Sequence, residues 1–129
     1  MAEYIACIKD VEIFVEIGIH DHEKGQAQRL LVSVEMKSEF TTMRMLRHLE
    51  HGIDYEPVLC FILAWQKQTH VDLIEELLED LMDFCFSNVL VSEVVASIQK
   101  SPKALVEKGD VGITLKVNRE EWAQCKARL

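Results

Sequence analysis

Hydrophobic and polar residues alternate in two stretches near the start of the chain, residues 11–19 (VEIFVEIGI) and residues 29–37 (RLLVSVEMK). The apolar positions spaced by two are Val11, Ile13, Val15 and Ile17 in the first stretch and Leu30, Val32, Val34 and Met36 in the second. A period of two residues is typical of a strand with one buried face. The pattern therefore predicts two β-strands.

The period becomes helical from Pro57 onward, and proline suits the first turn of a helix. A second helix is predicted over residues 70–84 (HVDLIEELLEDLMDF), with an apolar face and an acidic face. The apolar face comprises Leu73, Leu77, Leu81 and Phe84, and the acidic face comprises Glu76, Glu79, Asp80 and Asp83. Two helices are therefore predicted in the middle of the chain.

Strand composition returns in residues 93–100 (EVVASIQK) and 110–117 (DVGITLKV). The resulting order of strand, strand, helix, helix, strand, strand predicts an α+β fold, ββααββ, with a four-stranded antiparallel sheet and both helices on one face. We expect a single domain over residues 1–129 with a short tail from about residue 118. The tail is predicted to form a helix, in which Trp122 either anchors the helix or meets a neighbouring chain.

Such a sheet has two edge strands, which invite pairing with another chain unless they are protected. Several copies joined strand to strand in a ring would remove both edges. A compact monomer with charged edges is the alternative, and the topology alone leaves both open.

Composition limits the possible functions. The chain has 129 residues, a net charge of −8 and a pI near 5.1, which argues against binding to nucleic acid. Its apolar runs are too short to span a bilayer and its first residues do not resemble a signal peptide, so we expect a cytoplasmic protein without membrane contact. The four scattered cysteines predict reduced, hydrophobic side chains without a disulfide.

Glu75 stands between the two faces of the second predicted helix, in its first turn. One interpretation is a capping box, with Asp72 as N-cap and Glu75 reaching back to its amide. The other is a half-buried carboxylate that binds a ligand. The helix pattern alone leaves both open and favours the cap.

The sequence HDHE also contains possible metal ligands, His20, His22 and Glu23. The spacing lacks the helical His-x-x-x-His pattern and no cysteine lies nearby, so we expect no metal.

Five motifs in order resemble the dihydroneopterin aldolase family of the tunnelling fold: IGIHDHEKGQAQ, IDYEPV, VDLIEELLEDL, ASIQKSP and DVGITLKV. The resemblance runs from about residue 5 to residue 117. It implies that Lys100 is the catalytic lysine, that Tyr55 orients a hydroxyl group or relays a proton, and that Glu23 positions a water molecule and the lysine. Without the resemblance, these would be a strand-end lysine, a buried tyrosine and a solvated loop charge.

The resemblance also implies a substrate site. Glu75 would be the pterin anchor, because an ionised carboxylate can accept hydrogen bonds from a ring N–H and an adjacent amino group at once. Leu73, Ile74, Tyr55 and His20 would contribute to the same site. In the family the sites lie between subunits, so a homo-oligomer is implied, a tetrameric ring or an octamer.

The implied reaction is retro-aldol cleavage of dihydroneopterin to hydroxymethyl-dihydropterin and glycolaldehyde, a step of folate biosynthesis. The ring imine of the substrate takes up the electrons, so the reaction needs neither cofactor nor metal. Lys100 can act as base if partial burial lowers its pKa.

Two alternatives remain, an epimerase of the same fold acting on dihydroneopterin or its triphosphate, and a non-catalytic pterin- or purine-binding relative. Departures from the family pattern concern the pocket rim, where Lys24, Arg29 or Lys103 could serve a triphosphate.

Overall fold

The computed structural model of the chain describes residues 2–21, 24–47, 52–68, 70–100, 109 and 111–127. In chain order the elements are β1 (Ala2–Glu16), β2 (Ala27–Phe40), α1 (Met43–Leu46), α2 (Glu56–Ala64), a 3₁₀ turn (Trp65–Lys67), α3 (Ile74–Phe86), β3 (Glu93–Lys100), β4 (Val111–Asn118) and α4 (Arg119–Lys126). The order of strands and long helices is the predicted one.

The four strands form one antiparallel sheet in the order β1-β2-β3-β4, which confirms the predicted sheet. Its edges are β1 and β4. The strands bury one face under α2, α3 and the 3₁₀ turn, and the core contains the predicted apolar positions of β2 and most of those of β1. The two helices therefore cover a single face of the sheet, as the alternation of the strands predicts.

The first strand is longer than predicted, because it begins at Ala2. A bulge between Ile8 and Val11 divides it into two halves. Before the bulge the buried residues are Ala6 and Ile8, and after it they are Ile13 and Val15. The extra residue shifts the alternation from even to odd positions, so that both halves bury the same face. A simple two-residue period detects only the second half.

Helix α3 begins later than predicted, and the expected capping box is wrong. Its N-cap is Leu73, which has extended backbone (φ −129°, ψ 139°) and makes no side-chain capping hydrogen bond. Val71 explains the shift, because its amide donates to the Glu16 carbonyl and its own carbonyl accepts from Gly18, both at 3.0 Å. These bonds keep the chain extended past Asp72, whose carboxylate lies 3.4 Å from Nε2 of His70.

The buried face of α3 also differs from the prediction. Leu77 and Leu81 are buried as expected, whereas Leu73 is 42% exposed at the helix start. Phe84 points toward α2 and stacks on Phe61, with ring centroids 4.3 Å apart. Met82 and Phe86 are also buried and belong to the core.

The C-terminal tail forms α4, as predicted. Its N-cap is Asn118, which exchanges two hydrogen bonds with Glu121 in a complete capping box. Trp122 anchors the helix to its own chain, since the indole Nε1 donates to Asp83 of α3 at 2.9 Å.

All four cysteines are free. Burial raises the pKa of the Cys85 thiol to about 12, so this side chain is a protonated hydrophobic residue at neutral pH. Cys7, Cys60 and Cys125 are exposed. Within the described part of the chain, no helix is long and apolar enough to cross a membrane.

Candidate functional site

Lys100 lies at the end of β3, on the sheet face that the helices cover. Val94, Ala96 and Ile98 are buried on this face, and Lys100 continues their alternation as a half-buried residue. Its neighbours across the sheet are Leu30 on β2 and Val111 on β4. A lysine at this position adjoins the apolar core, with its Cβ on the helix side of the sheet.

The connection between β1 and β2 lies at the same end of the sheet. Leu30 pairs with Ile13 on one side and with Lys100 on the other. Strand β1 ends at Glu16, three residues after Ile13, so the loop that follows Glu16 lies just beyond Lys100 at this end of the sheet. His20 lies in this loop and is exposed. Glu23, the predicted water-positioning residue, lies outside the described residues, as does His22, so two of the three possible metal ligands are not described.

His70 ties the start of α3 to this loop. Its Nδ1 atom lies 2.9 Å from Oε1 of Glu16, and its Nε2 atom lies 3.0 Å from the carbonyl oxygen of Gly18. The Gly25 amide donates to the same Glu16 oxygen at 2.8 Å. Sequence reasoning missed this cluster, because Glu16 and His70 are 54 residues apart and neither belongs to a local motif.

The cluster predicts a specific pH dependence of stability. The hydrogen bond from Gly25 lowers the pKa of the Glu16 carboxyl below its ordinary value of 4.5, against an opposing effect of burial and with a further lowering by His70. A depressed pKa adds stability above the unfolded-state pKa, and this stability is lost as the pH falls through the folded-state pKa. We therefore expect Glu16→Gln to destabilise the protein at pH 7 and to match the unmodified protein far more closely at pH 3. Urea unfolding at both pH values tests this, and an equal difference at both would contradict it.

A cavity of about 610 Å³ opens beside the first turns of α3. Its floor consists of residues 113–115 of β4, one wall comes from α3 and the other from α4. The wall residues are Glu75, Leu78 and Glu79 on α3 and Trp122, Cys125 and Lys126 on α4. On the sheet face below, Ile113 pairs with Ile98, two residues before Lys100. The cavity and the lysine are therefore separated by roughly 7 Å along the strand.

The two carboxylates of the cavity differ in their partners. Glu79 accepts a hydrogen bond from Lys126 at 3.2 Å, and the same ammonium group donates to Asp83 at 3.1 Å. These bonds, led by the one to Asp83, raise the pKa of Lys126. The side chain of Glu75 makes no hydrogen bond or ion pair with another residue in the described part of the chain. Its carboxylate is therefore a charged acceptor that the cavity offers to a ligand.

The predicted substrate-binding residues divide into two groups. Leu73, Ile74 and Glu75 are consecutive at the start of α3, where Leu73 is largely exposed and Ile74 packs against the core. His20 and Lys100 lie at the same end of the sheet.

Tyr55 lies apart from this group. It is the N-cap of α2 and is 56% exposed. The 3₁₀ turn after α2 contacts β1, where Gln66 accepts from the Phe14 amide, while Phe61 of α2 stacks on Phe84. Tyr55 does not line the cavity that contains Glu75.

The ββααββ order, the sequential antiparallel sheet and the helices on one face define a protein of the tunnelling fold. The model of the family FolB, dihydroneopterin aldolase, matches residues 6–116, and the chain belongs to this family. The match confirms the resemblance found in the sequence motifs. It ends before α4.

Solved structures agree with this fold. A Vibrio cholerae structure provisionally described as the dihydroneopterin aldolase FolB has 21% identity and a TM-score of 0.77, covering 92% of this chain and 100% of its own. Escherichia coli dihydroneopterin aldolase in complex with neopterin has 17% identity and a TM-score of 0.73, covering 88% and 98%. Burkholderia dihydroneopterin aldolase bound to guanine has 18% identity and a TM-score of 0.72, covering 91% and 92%. The comparison with curated proteins found no significant match.

Proposed function

We propose that the protein is a carbon–carbon lyase that cleaves dihydroneopterin to hydroxymethyl-dihydropterin and glycolaldehyde. The observation that carries the proposal is the unpaired Glu75 carboxylate in a cavity at the start of α3, whose floor begins two residues along the strands from Lys100. Family membership adds the reaction class, and relatives bound to neopterin and guanine indicate flat nitrogen heterocycles as ligands.

In this proposal Glu75 anchors the pterin. The pyrimidine edge of a pterin presents a ring N–H beside an exocyclic amino group, and both donate to one carboxylate. Glu75 is at the second position of α3, where the helix dipole favours a negative charge. It has no competing partner among the described residues, so binding replaces only water.

Lys100 removes the proton of the hydroxyl group on the second side-chain carbon. The bond between the first and second side-chain carbons then breaks, glycolaldehyde leaves, and the electron pair enters the ring imine. The resulting enamine takes up a proton at the first side-chain carbon, which becomes the hydroxymethyl group. The protein moves protons, and the substrate supplies its own electron sink.

The unphosphorylated substrate fits the charges better than its triphosphate does. Of the basic residues considered for a triphosphate, Arg29 donates to Glu12 at 2.8 Å and Lys103 lies outside the described residues. In the cavity, Lys126 is already engaged by two carboxylates. A triphosphate would approach an acidic helix face, and both Arg29 and Lys126 are already paired with carboxylates.

Incubation with dihydroneopterin and, separately, with its triphosphate tests the proposal, with products separated by chromatography. We expect hydroxymethyl-dihydropterin and glycolaldehyde in equal amounts from the unphosphorylated substrate, and slower turnover of the triphosphate. An epimer as the main product would indicate the epimerase of the same fold. Binding without turnover would indicate a non-catalytic relative, and neither binding nor turnover would reject the proposal.

We also propose that the site is completed by a second copy of the chain. Tyr55 does not line the cavity that contains Glu75, whereas the family resemblance assigns it to orienting a substrate hydroxyl group or relaying a proton. The sheet has two edge strands, β1 and β4, and the cavity floor belongs to β4. A neighbouring chain joined at this edge in a ring would bring its own Tyr55 to the cavity and remove both edges.

Complementation of two inactive variants tests the shared site. We expect Tyr55→Phe and Glu75→Ala to regain activity when their chains are dissociated and reassembled together. With random mixing, an intact site needs tyrosine from one chain and glutamate from the next, so roughly a quarter of the sites should recover. The measurement requires that Tyr55→Phe alone loses most of its activity. Mixed rings, verified by mass spectrometry, that stay inactive would place all these residues on one chain.

A further inference from the structure

Helix α4 lies outside the segment that the family model matches, yet it forms one wall of the candidate site. The family match ends at residue 116, and α4 spans Arg119–Lys126. Without α4, the groove between α3 and β4 would have no second wall, and Glu75 would be a carboxylate on an open helix surface. Three residues of α4 line the cavity that contains it.

The position of α4 is fixed from both ends. At its start, the Arg119 guanidinium donates to the carbonyl oxygens of Phe86 and Asn88, at 2.9 and 2.7 Å, and to that of Val91. These carbonyls belong to the segment where α3 ends and turns toward β3. At its other end, Lys126 binds two carboxylates of α3, Glu79 and Asp83. A helix held in this way presents its side chains to the cavity in one arrangement.

Trp122 is the aromatic member of this wall, and its ring is held by two contacts. Its Nε1 donates to Asp83, which leaves the indole without an unsatisfied polar atom. The Lys126 ammonium lies 5.6 Å from the ring centroid, within the range of a cation–π contact. The ring is half-buried, so part of its surface remains available to a molecule in the cavity.

We propose that Trp122 is a specificity-determining residue that contacts the planar heterocycle whose donor edge is bound by Glu75. The inference rests on the proposed function for the role of Glu75. It adds that this chain uses an aromatic wall from outside the family segment to select flat, uncharged, bicyclic nitrogen heterocycles. The apolar part of the site is completed by Leu78, Ile113 and Leu115, and the ion pair of Glu79 with Lys126 leaves Glu75 as the anchor.

Titration with neopterin tests the inference without relying on activity. We expect Trp122→Ala to raise the dissociation constant for neopterin by roughly 10-fold, as for the loss of an aromatic contact with a flat ligand. Trp122→Phe should retain most of the affinity, because it keeps a ring and loses only the bond to Asp83. Gln124→Ala is the matched control, since Gln124 is exposed on α4 and does not line the cavity; its affinity should be unchanged.

A second measurement uses the unmodified sequence, in case Trp122→Ala fails to fold. The chain has two tryptophans, so labelling with 5-fluorotryptophan gives one fluorine resonance for Trp65 and one for Trp122. Neopterin and guanine should each shift the Trp122 resonance and leave that of Trp65, which is buried in the core, nearly unchanged.

The outcomes separate the two claims. Neopterin binding with an unmoved Trp122 resonance, or with equal affinity in folded Trp122→Ala, would overturn the role of Trp122 and leave the proposed function intact. Absence of any binding of neopterin and guanine to the unmodified protein would overturn both.

Discussion

Replacement of Lys100 by methionine should lower the turnover of dihydroneopterin by about 10²- to 10⁴-fold, the usual range for loss of a general base. Methionine keeps most of the length and apolar character of the stem, so the row formed with Leu30 and Val111 should stay packed. It cannot accept a proton from the substrate hydroxyl. The dissociation constant for neopterin should change far less than turnover, because the lysine acts on the side chain of the substrate and Glu75 on its ring.

Lys116→Met is the matched control for this experiment. Lys116 lies on β4 between two helix-facing residues, Leu115 and Val117, and is therefore directed to the opposite face of the sheet. Its replacement should leave both turnover and affinity unchanged. Near-normal turnover in Lys100→Met would assign the base to another residue.

Glu75→Ala should weaken neopterin binding by roughly 2 to 4 kcal/mol, which is about 30- to 10³-fold in the dissociation constant. The substitution removes two charge-assisted hydrogen bonds, and water in the enlarged cavity compensates for part of the loss. Calorimetric titration gives the affinity directly. The fold should be little affected, because the carboxylate makes no bond within the described part of the chain and does not cap α3.

Glu76→Ala is the control for the anchor. Glu76 follows Glu75 on the same turn, is also exposed, and does not line the cavity. The Glu76→Ala substitution removes an equal charge at nearly the same distance from the helix start. The difference in neopterin affinity between the two variants therefore measures contact of Glu75 with the ligand and not the field of the helix. Equal, small effects of both substitutions would remove Glu75 from the site.

The fold could be predicted from the sequence because hydrophobic periodicity reports directly on which face of an element is buried. The second strand shows this best, since Leu30, Val32, Val34 and Met36 are all buried as predicted. The boundaries of the strands and helices were harder to predict. The bulge at Asp10, with φ of 55°, reverses the alternation, and the helix start depends on a bridge between Val71 and Ile17 that joins segments far apart in the chain.

The candidate site could be predicted only in part. Glu75 and Lys100 stand in recognisable motifs, and their common location follows from strand register once the sheet is known. The contribution of His70 and Glu16 depends on a tertiary contact that no local pattern encodes. The role of α4 could not be predicted for the same reason. Trp122 and Lys126 bind residues of α3 about 40 residues earlier in the chain. Such polar pairs form on many charged surfaces, so the sequence does not indicate which of them will form.

The central claim is that the chain cleaves a carbon–carbon bond by moving protons, with the pterin ring as electron sink. The most direct measurement is the reaction of dihydroneopterin in D₂O, followed by mass spectrometry of the hydroxymethyl-dihydropterin formed. The proposed mechanism delivers a proton from solvent-exchangeable groups to the first side-chain carbon, so the product should carry a single carbon-bound deuterium in its hydroxymethyl group. Glycolaldehyde should form in equal amount. Recovery of unchanged dihydroneopterin, or of hydroxymethyl-dihydropterin without carbon-bound deuterium, would contradict the account.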